Sequence, residues 1–506
     1  MGAIGLENGH SLTHSLWRSE QIRIGERQAA GAAGIQMYEL MCRAGLAVFE
    51  LARNRWPEAQ HWWIFVGGGN NGGDGYVVAR LARAAGIRVQ LVQQGDAEAL
   101  RGDAARARDQ YRADGGAIES VGALQGQPDL VIDALLGIGL KGELRQEAKG
   151  IIHQINRLGA PVLAVDLPSG LCADTGRLLG GAVSASLTLT FVGLKPGLLT
   201  GQGRDVCGDI LLADLGIQSH LGQVPVADLL QWDEWRQRLP RRRVSAHKGQ
   251  VGRLLVLGGN RGMSGAIRLA GEAALRCGTG LVRLVSHRQH YRLLNMTRPE
   301  LMTAWYPDFD HWTWAHALVI GPGMGQDAWG RSLWQASLTY SGPRVVDADG
   351  LHLLAHTGGG SEERGCWVLT PHPGEAASLL GCSVAEIEAD RLTAVNRLRE
   401  QYGAVVVLKG AGTLVADESG VSLCHYGNPG MASGGMGDLL SGIIGALLAQ
   451  GMAAGQAARL GVCLHGRAGD LASTHGMVGM LASDLLPGIR RLINQVEEDD
   501  NKTVDH

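Results

Sequence analysis

A chain of 506 residues exceeds the roughly 250–300 residues at which a single hydrophobic core stops growing, so about two to three domains are expected. A formal charge of −3 excludes the basic surface of a nucleic-acid or anionic-membrane binder. The eight cysteines (Cys42, Cys172, Cys207, Cys277, Cys366, Cys382, Cys424 and Cys463) form no C-x-x-C pair, which argues against a zinc knuckle or a redox motif.

The first residues lack a basic start followed by an apolar core, and Leu6 stands where a myristoylation signal needs Ser or Thr. A reducing, cytoplasmic setting is expected. Residues 22–54 read as one helix, HWWIFV as a strand, YVVARLARAAG as a helix and RVQLVQQ as a strand. DLVIDALLG, PVLAVDLPSG and SLTLTFVG follow as strands that end at Gly or Pro turns. Such alternation predicts a parallel sheet with helices on both faces. This first domain is assigned to residues 1–225.

Residues 67–75, GGGNNGGDG, form a glycine-rich loop after the first strong strand. Gly67, Gly69 and Gly72 satisfy G-x-G-x-x-G, but the next strand ends in Gln93 and Gln94, and Asp96 lies beyond a glycine. A dinucleotide cofactor site wants an acidic residue at that strand end. The polar residues need another account. Asn70, Asn71 and Asp74 in the loop, Asp133 in VIDALLGIG, and Asp166 with Ser169 in VLAVDLPSG all fall where parallel strands open their ligand crevice. Their oxygens suit an alkali or alkaline-earth cation better than zinc. Singly, each Asx or Ser could equally cap a helix or shape a turn.

VGGGNNGGDGYVVAR, DALLGIGLKGE and AVDLPSGL resemble the signatures of the epimerases that act on hydrated nicotinamide dinucleotides, NAD(P)HX. That resemblance implies a Rossmann-like fold and a dinucleotide bound as substrate. It implies substrate contacts at Asn70, Asn71, Gly72, Gly73 and Asp74. It further implies contacts at Gly137, Ile138, Gly139, Leu140, Lys141, Gly142 and Glu143, and at Asp166. Potassium would sit on Asn71, Asp133 and Ser169. Asp166 is the candidate acid–base residue, and Lys195 in GLKPG either neutralises a phosphate or is structural.

The rhythm breaks after DLGI, and residues 226–243, with the run Pro240-Arg241-Arg242-Arg243, read as a solvated linker. A second α/β series runs from 244 to 495 through GRLLVLGG, LVRLVS, ALVIGPGMG, RVVDADG, WVLTPHPGE and AVVVLKGAGT. Residues 439–458 carry no charge but are diluted by glycine, glutamine and serine, which reads as a buried helix rather than a membrane span. Residues 496–506 are charged and are expected to fray.

In GNPGMASGGMGDLLSGIIGALL a glycine-rich stretch enters a helix, so Gly434, Gly435 and Gly437 free N–H groups to meet a phosphoryl group. Asp438 beside them can take a proton from an attacking hydroxyl. Lys409 ends a strand from which it can reach nucleotide phosphates, and no Walker A loop occurs. Glycine-rich helix starts also serve packing, and His372 taken alone reads as structural. With PHPGE and GPGMG in order, this half resembles the ribokinase-like NAD(P)H-hydrate dehydratases. The GMG triplet departs from the signature of sugar-phosphorylating ribokinases.

The second resemblance implies nucleotide contacts at Lys409, Gly410, Ala411, Gly412, Thr413 and Gly437. Ala266, Gly323, His372 and Asp438 would line the substrate site, with Asp438 as base. Magnesium would accompany ADP or ATP, held mostly through waters. Together the two resemblances imply a bifunctional repair enzyme acting on NADHX and NADPHX, with no nucleic acid and no membrane as partner. Its apolar helix faces would suit a homo-oligomer. The alternative is a vitamin-precursor kinase fused to a non-catalytic binding module, against which Asn71, Asp133, Asp166 and Ser169 weigh.

Overall fold

The computed structural model describes residues 4–6, 14–222, 224–357 and 365–495. The expected fraying tail lies outside them. Two compact units meet in sequence at Asp228 and Leu229.

The first unit is built on an 8-stranded sheet in which every pairing is parallel. Its order is Ile4–Leu6, Asp209–Ala213, Leu187–Phe191, Val162–Val165, Leu130–Ala134, His61–Val66, Arg88–Gln93, Ile118–Glu119. The run HWWIFV is apolar throughout because both of its faces are covered. Trp62, Ile64 and Val66 join the core beneath helices Met37–Arg55, Asn70–Ala84 and Gly102–Ala113. Trp63 and Phe65 pack with Ile151, Ile152 and Ile155 of helix Gln146–Ile155 on the other face. The strand order reverses at His61–Val66, whose neighbours are Arg88–Gln93 and Leu130–Ala134. A crevice opens at such a reversal, outside the carboxyl ends of the strands.

The single helix expected over 22–54 is two helices, Ser19–Ala32 and Met37–Arg55. Apolar periodicity runs on through the junction, but Gly34 takes φ 69°, a left-handed conformation that ends a helix.

In the second unit the strands run Met302–Tyr306, Leu281–His287, Arg253–Leu257, Ala317–Ile320, Arg344–Val346, Trp367–Leu369, Val405–Leu408, Thr413–Asp417, Gly420–Cys424. Pairing is parallel as far as Val405–Leu408 and antiparallel beyond it. Helices Ser264–Arg276, Met436–Ala449, Ala454–Ala472 and Leu485–Ile493 share one apolar core with the strands.

The uncharged stretch at 439–458 spans two helices separated at Gln450–Ala453. Among the described residues no helix is long and apolar enough to cross a membrane. The expected linker also differs from its sequence reading. It holds helix Trp232–Trp235, and Leu230, Trp232 and Leu239 are buried in the second core. The basic run lies just beyond these anchors, which tie the segment down.

Candidate active sites

In the first unit, Asn70 and Asn71 are the first residues of helix Asn70–Ala84, with Gly69 as its cap. The nine-residue loop read from sequence is therefore only Gly67–Gly69, and Gly72, Gly73 and Asp74 are helical. Packing explains most of its glycines. A Cβ at Gly67 would strike the Leu135 carbonyl, and one at Gly72 the Gly67 carbonyl. At Gly75 it would lie 2.6 Å from Val66 and 2.7 Å from Ala134. The helix start is thus pressed onto two strand ends, where its free N–H groups face the crevice. Gly68 and Gly69 are exposed and meet nothing within 4 Å, so an incoming ligand can approach their backbone.

Asn71 reaches across the strand reversal to the Gly137–Glu143 loop, its Cγ 3.2 Å from where Gly137 would carry a Cβ. Its Nδ2 is buried and has no hydrogen-bond partner. Asp133 is fully buried. Ser169 donates to it twice, from N to Oδ2 at 2.8 Å and from Oγ to Oδ1 at 2.6 Å. The Leu136 N–H in turn donates to Ser169 Oγ at 2.8 Å. Among the described residues no cationic side chain pairs with Asp133, and burial pushes its carboxyl up to about 6 against the Ser169 hydrogen bonds. The Asp133 carboxylate and the Ser169 hydroxyl thus make a buried, oxygen-lined pocket with no cationic side chain among the described residues.

Asp166 follows strand Val162–Val165 with φ 67°, a left-handed conformation that Asp and Asn tolerate best after glycine. Its Oδ1 accepts from Lys195 Nζ at 2.6 Å and from Thr190 Oγ1 at 3.0 Å. Lys195 is 1% exposed and also donates to Thr190 Oγ1 and the Phe191 carbonyl, both at 2.9 Å. Lys195 is therefore committed to Asp166 and does not point outward to a phosphate. Asp74 is buried, and both burial and the nearby charges of Asp166 and Glu26 raise its carboxyl well above the ordinary range. Asp74 and Asp166 are thus brought together, with Asn71, Asp133 and Ser169 at the adjoining strand ends.

In the second unit, Asp347, Thr370, His372 and Lys409 follow the carboxyl ends of three neighbouring parallel strands. Lys409 Nζ donates to Asp347 Oδ1 at 2.8 Å and lies 3.6 Å from Glu375 Oε2. Ser441 Oγ, on helix Met436–Ala449, donates to Asp347 Oδ2 at 2.5 Å. Gly435 begins that helix with φ 91°. A Cβ on Gly437 would lie 3.3 Å from Lys409 Nζ, so glycine keeps the lysine against the helix N-terminus.

Asp438 is half-buried, and burial first, then the Asp347 charge, pushes its carboxyl up to about 7 despite Lys409. Ala266 and Gly323 adjoin, the Ala266 Cβ 3.1 Å from a Cβ placed on Gly323. His372 caps helix Pro373–Leu380, its Nδ1 accepting from Gly374 N at 2.9 Å and Glu375 N at 3.3 Å. Lys409–Gly412 link two antiparallel strands, and buried Arg391 braces that turn by donating to the Lys409 carbonyl at 3.1 Å. Thr413 Oγ1 donates to the Gly410 carbonyl at 3.1 Å.

Sequence reasoning passed over Asp347, Glu375 and His465. Asp347 follows a strand as Asp133 and Lys409 do, so the strand-end argument applied evenly would have found it. His465 gives no sequence signal: burial and the Lys409 charge lower its imidazole to about 4, and its Nε2 has no partner.

Two family models match the chain, NAD(P)H-hydrate dehydratase over residues 254–491 and YjeF-related protein N-terminus over residues 37–197. The bifunctional NAD(P)H-hydrate repair enzyme of Escherichia coli (strain K12) is 47% identical over 98% of this chain and 97% of its own. That of Leishmania braziliensis is 37% identical over 96% of this chain and 94% of its own. A ribokinase-like superfamily protein from Enterococcus faecalis V583 superposes with a TM-score of 0.51 at 25% identity, covering 54% of this chain and 97% of that one. An ADP/ATP-dependent NAD(P)H-hydrate dehydratase from Bacillus subtilis, co-crystallized with ATP/Mg2+, is 29% identical. It covers 54% of this chain and 100% of its own, with a TM-score of 0.49.

Proposed function

The chain belongs to the bifunctional NAD(P)H-hydrate repair enzymes, and on that premise we infer which residues perform its two reactions. The first half epimerises the R and S forms of NAD(P)HX. The second dehydrates the hydrate at the expense of ADP or ATP.

In the epimerase half, Asp166 is the acid–base residue. Among the described residues the hydrogen bonds of its carboxylate all run to Oδ1, which leaves Oδ2 for a proton in transit. The backbone of Gly68–Gly69 and the start of helix Asn70–Ala84 receive the dinucleotide's phosphates, and the Gly137–Glu143 loop closes the other wall. Potassium suits the pocket of Asn71, Asp133 and Ser169, where its charge would offset the buried carboxylate. The Asp133 carboxylate, buried with hydrogen bonds from Ser169 but no cationic partner among the described residues, supports that assignment.

In the dehydratase half, Asp438 is the base that takes the proton of the substrate hydroxyl. The terminal phosphoryl group then passes to that oxygen beside the N–H groups of Gly435–Gly437, and phosphate leaves by elimination to restore the ring. The observation that supports this most strongly is the Asp438 carboxyl held at about 7 next to a helix N-terminus. Lys409, kept in place by Asp347, stands ready for the nucleotide phosphates. The surrounding carboxylates Asp347, Asp349, Glu375 and Asp438 suit a nucleotide whose charge is masked by magnesium. The cytoplasm, with its nicotinamide pool and reducing conditions, is the compartment we assign, in keeping with eight unpaired thiols.

The test is to give the purified chain an equilibrated mixture of R and S NADH hydrates with ADP or ATP, magnesium and potassium. Absorbance of the dihydronicotinamide is followed. Recovery of all the cofactor is expected. A halt at the S fraction would remove the epimerase assignment, and no recovery with either nucleotide would remove the dehydratase assignment.

A further inference from the structure

Helix Ser19–Ala32 packs against the segments that follow strands Val162–Val165 and Leu187–Phe191, at Asp174 and Gly193. Its first turn is pinned by Asp174, whose Oδ1 accepts from Ser19 N at 2.6 Å and whose Oδ2 accepts from Ser19 Oγ at 3.0 Å. One turn on, Ile22 packs against Gly193, 2.9 Å from where a Cβ would project. Gly25 packs onto Leu221. Glu26 follows one turn after Ile22, on the same side of the helix, and Gly193 is two residues before Lys195. The charges of Lys195 and Asp166 act on Glu26, and that of Glu26 acts on Asp74. Glu26 nevertheless makes no hydrogen bond or ion pair among the described residues, and it is half-buried where Asp166 and Lys195 are buried. Glu26 thus sits one turn from the Ile22–Gly193 contact, on the helix packed over the segment that carries Lys195, and is partly open to solvent.

We propose that Glu26 is the proton relay of the epimerase site, carrying protons between the Asp166–Lys195 pair and solvent. The inference deepens the reading of Asp166 given above and rests on it. Hydration of an enamine ring puts the hydroxyl on the carbon beside the ring nitrogen. Inversion breaks that C–O bond; the oxygen leaves with the electron pair and takes up a proton to become water. The nitrogen lone pair holds the planar cation until water adds to the opposite face and gives one proton up. Atoms and electrons balance without any oxidant or reductant. Asp166 gives its proton to the departing oxygen, and the water that adds on the opposite face releases its proton to solvent. Asp166 therefore ends the turnover deprotonated and must take a proton back from solvent. Burial pushes the Glu26 carboxyl up to about 7, where gaining and losing a proton are both easy at neutral pH. Lys195 opposes that rise and Asp166 adds to it.

The test compares wild type, Glu26→Gln, Glu26→Asp and Asp166→Asn in the full chain, following conversion of pure R hydrate to S. Dehydration of S hydrate by the same preparations reports the amount of intact chain, and thermal unfolding of the first unit reports its folding. Glu26→Gln is expected to lower the epimerase kcat by about 100-fold with KM little changed. Added formate or imidazole should restore the rate in proportion to its concentration, and Glu26→Asp should keep part of it. An unchanged kcat in Glu26→Gln, or a loss that no small acid restores, overturns the relay. A wild-type chain that does not epimerise at all would instead remove the underlying reading. A wild-type chain as fast as Glu26→Gln removes the relay alone.

Discussion

Asp166 and Asp438 both stand at the carboxyl edge of a parallel sheet, yet their surroundings prepare them differently. Asp166 is clamped by a lysine at 2.6 Å, whereas Asp438 is desolvated next to another carboxylate. Asp438→Asn should lower dehydration by roughly 100- to 10,000-fold and leave epimerisation intact, and Asp166→Asn should do the reverse. Separate assays on pure R and S hydrates check both. A base must be deprotonated to act, so with Asp438 raised to about 7 dehydratase kcat/KM should rise with pH through about 7. Asp347→Asn removes a like charge and frees Lys409 toward Asp438, both of which favour the charged carboxylate. That limb should therefore move to lower pH, read from a pH–rate profile. Asp166 was legible in the sequence because it ends the apolar run VLAV, and Asp438 because it enters a helix just after Gly434, Gly435 and Gly437. Glu26 was not, since its helix reaches the site only through contacts at Ile22 and Gly25 that no local pattern records.

At the level of elements, the glycines of the first loop divide into two kinds. Gly72 sits where a side chain would strike the Gly67 carbonyl, while Gly68 faces open space. Gly72→Ala should cost about 1–3 kcal/mol through overpacking, whereas Gly68→Ala should be close to neutral. Thermal unfolding of the two variants distinguishes these outcomes. Glycine permits close backbone approach here, and most of that approach is helix to strand rather than to a ligand. The extent of the loop was misread for a related reason: Asn and Gly are poor helix formers, and tertiary packing overrides them. The Asp133 pocket makes a further prediction. Potassium should raise the Tm of the first unit while choline at equal ionic strength should not, and Asp133→Asn should remove the difference.

For the whole molecule, two consecutive reactions in one chain mean that neither hydrate form is stranded. With Asp166→Asn, cofactor recovery from an equilibrated mixture should stop at the S fraction and resume when Asp438→Asn protein is added. Alternation of strands with helices was enough to recognise two α/β folds, because buried parallel strands read as continuous apolar runs. The boundary between them was harder to read, since a short stretch with apolar anchors at Leu230, Trp232 and Leu239 looks like a linker when its Pro-Arg-Arg-Arg neighbour dominates the composition.

The pairing of Ile4–Leu6 with Asp209–Ala213 sets an order on the making of the protein. Ile4–Leu6 is made before the other strands of its sheet and docks on the last of them, so that edge waits for more than 200 further residues. At about 5–20 residues per second the wait is on the order of 10–40 s. Throughout it, the nascent sheet presents an open edge to any passing strand.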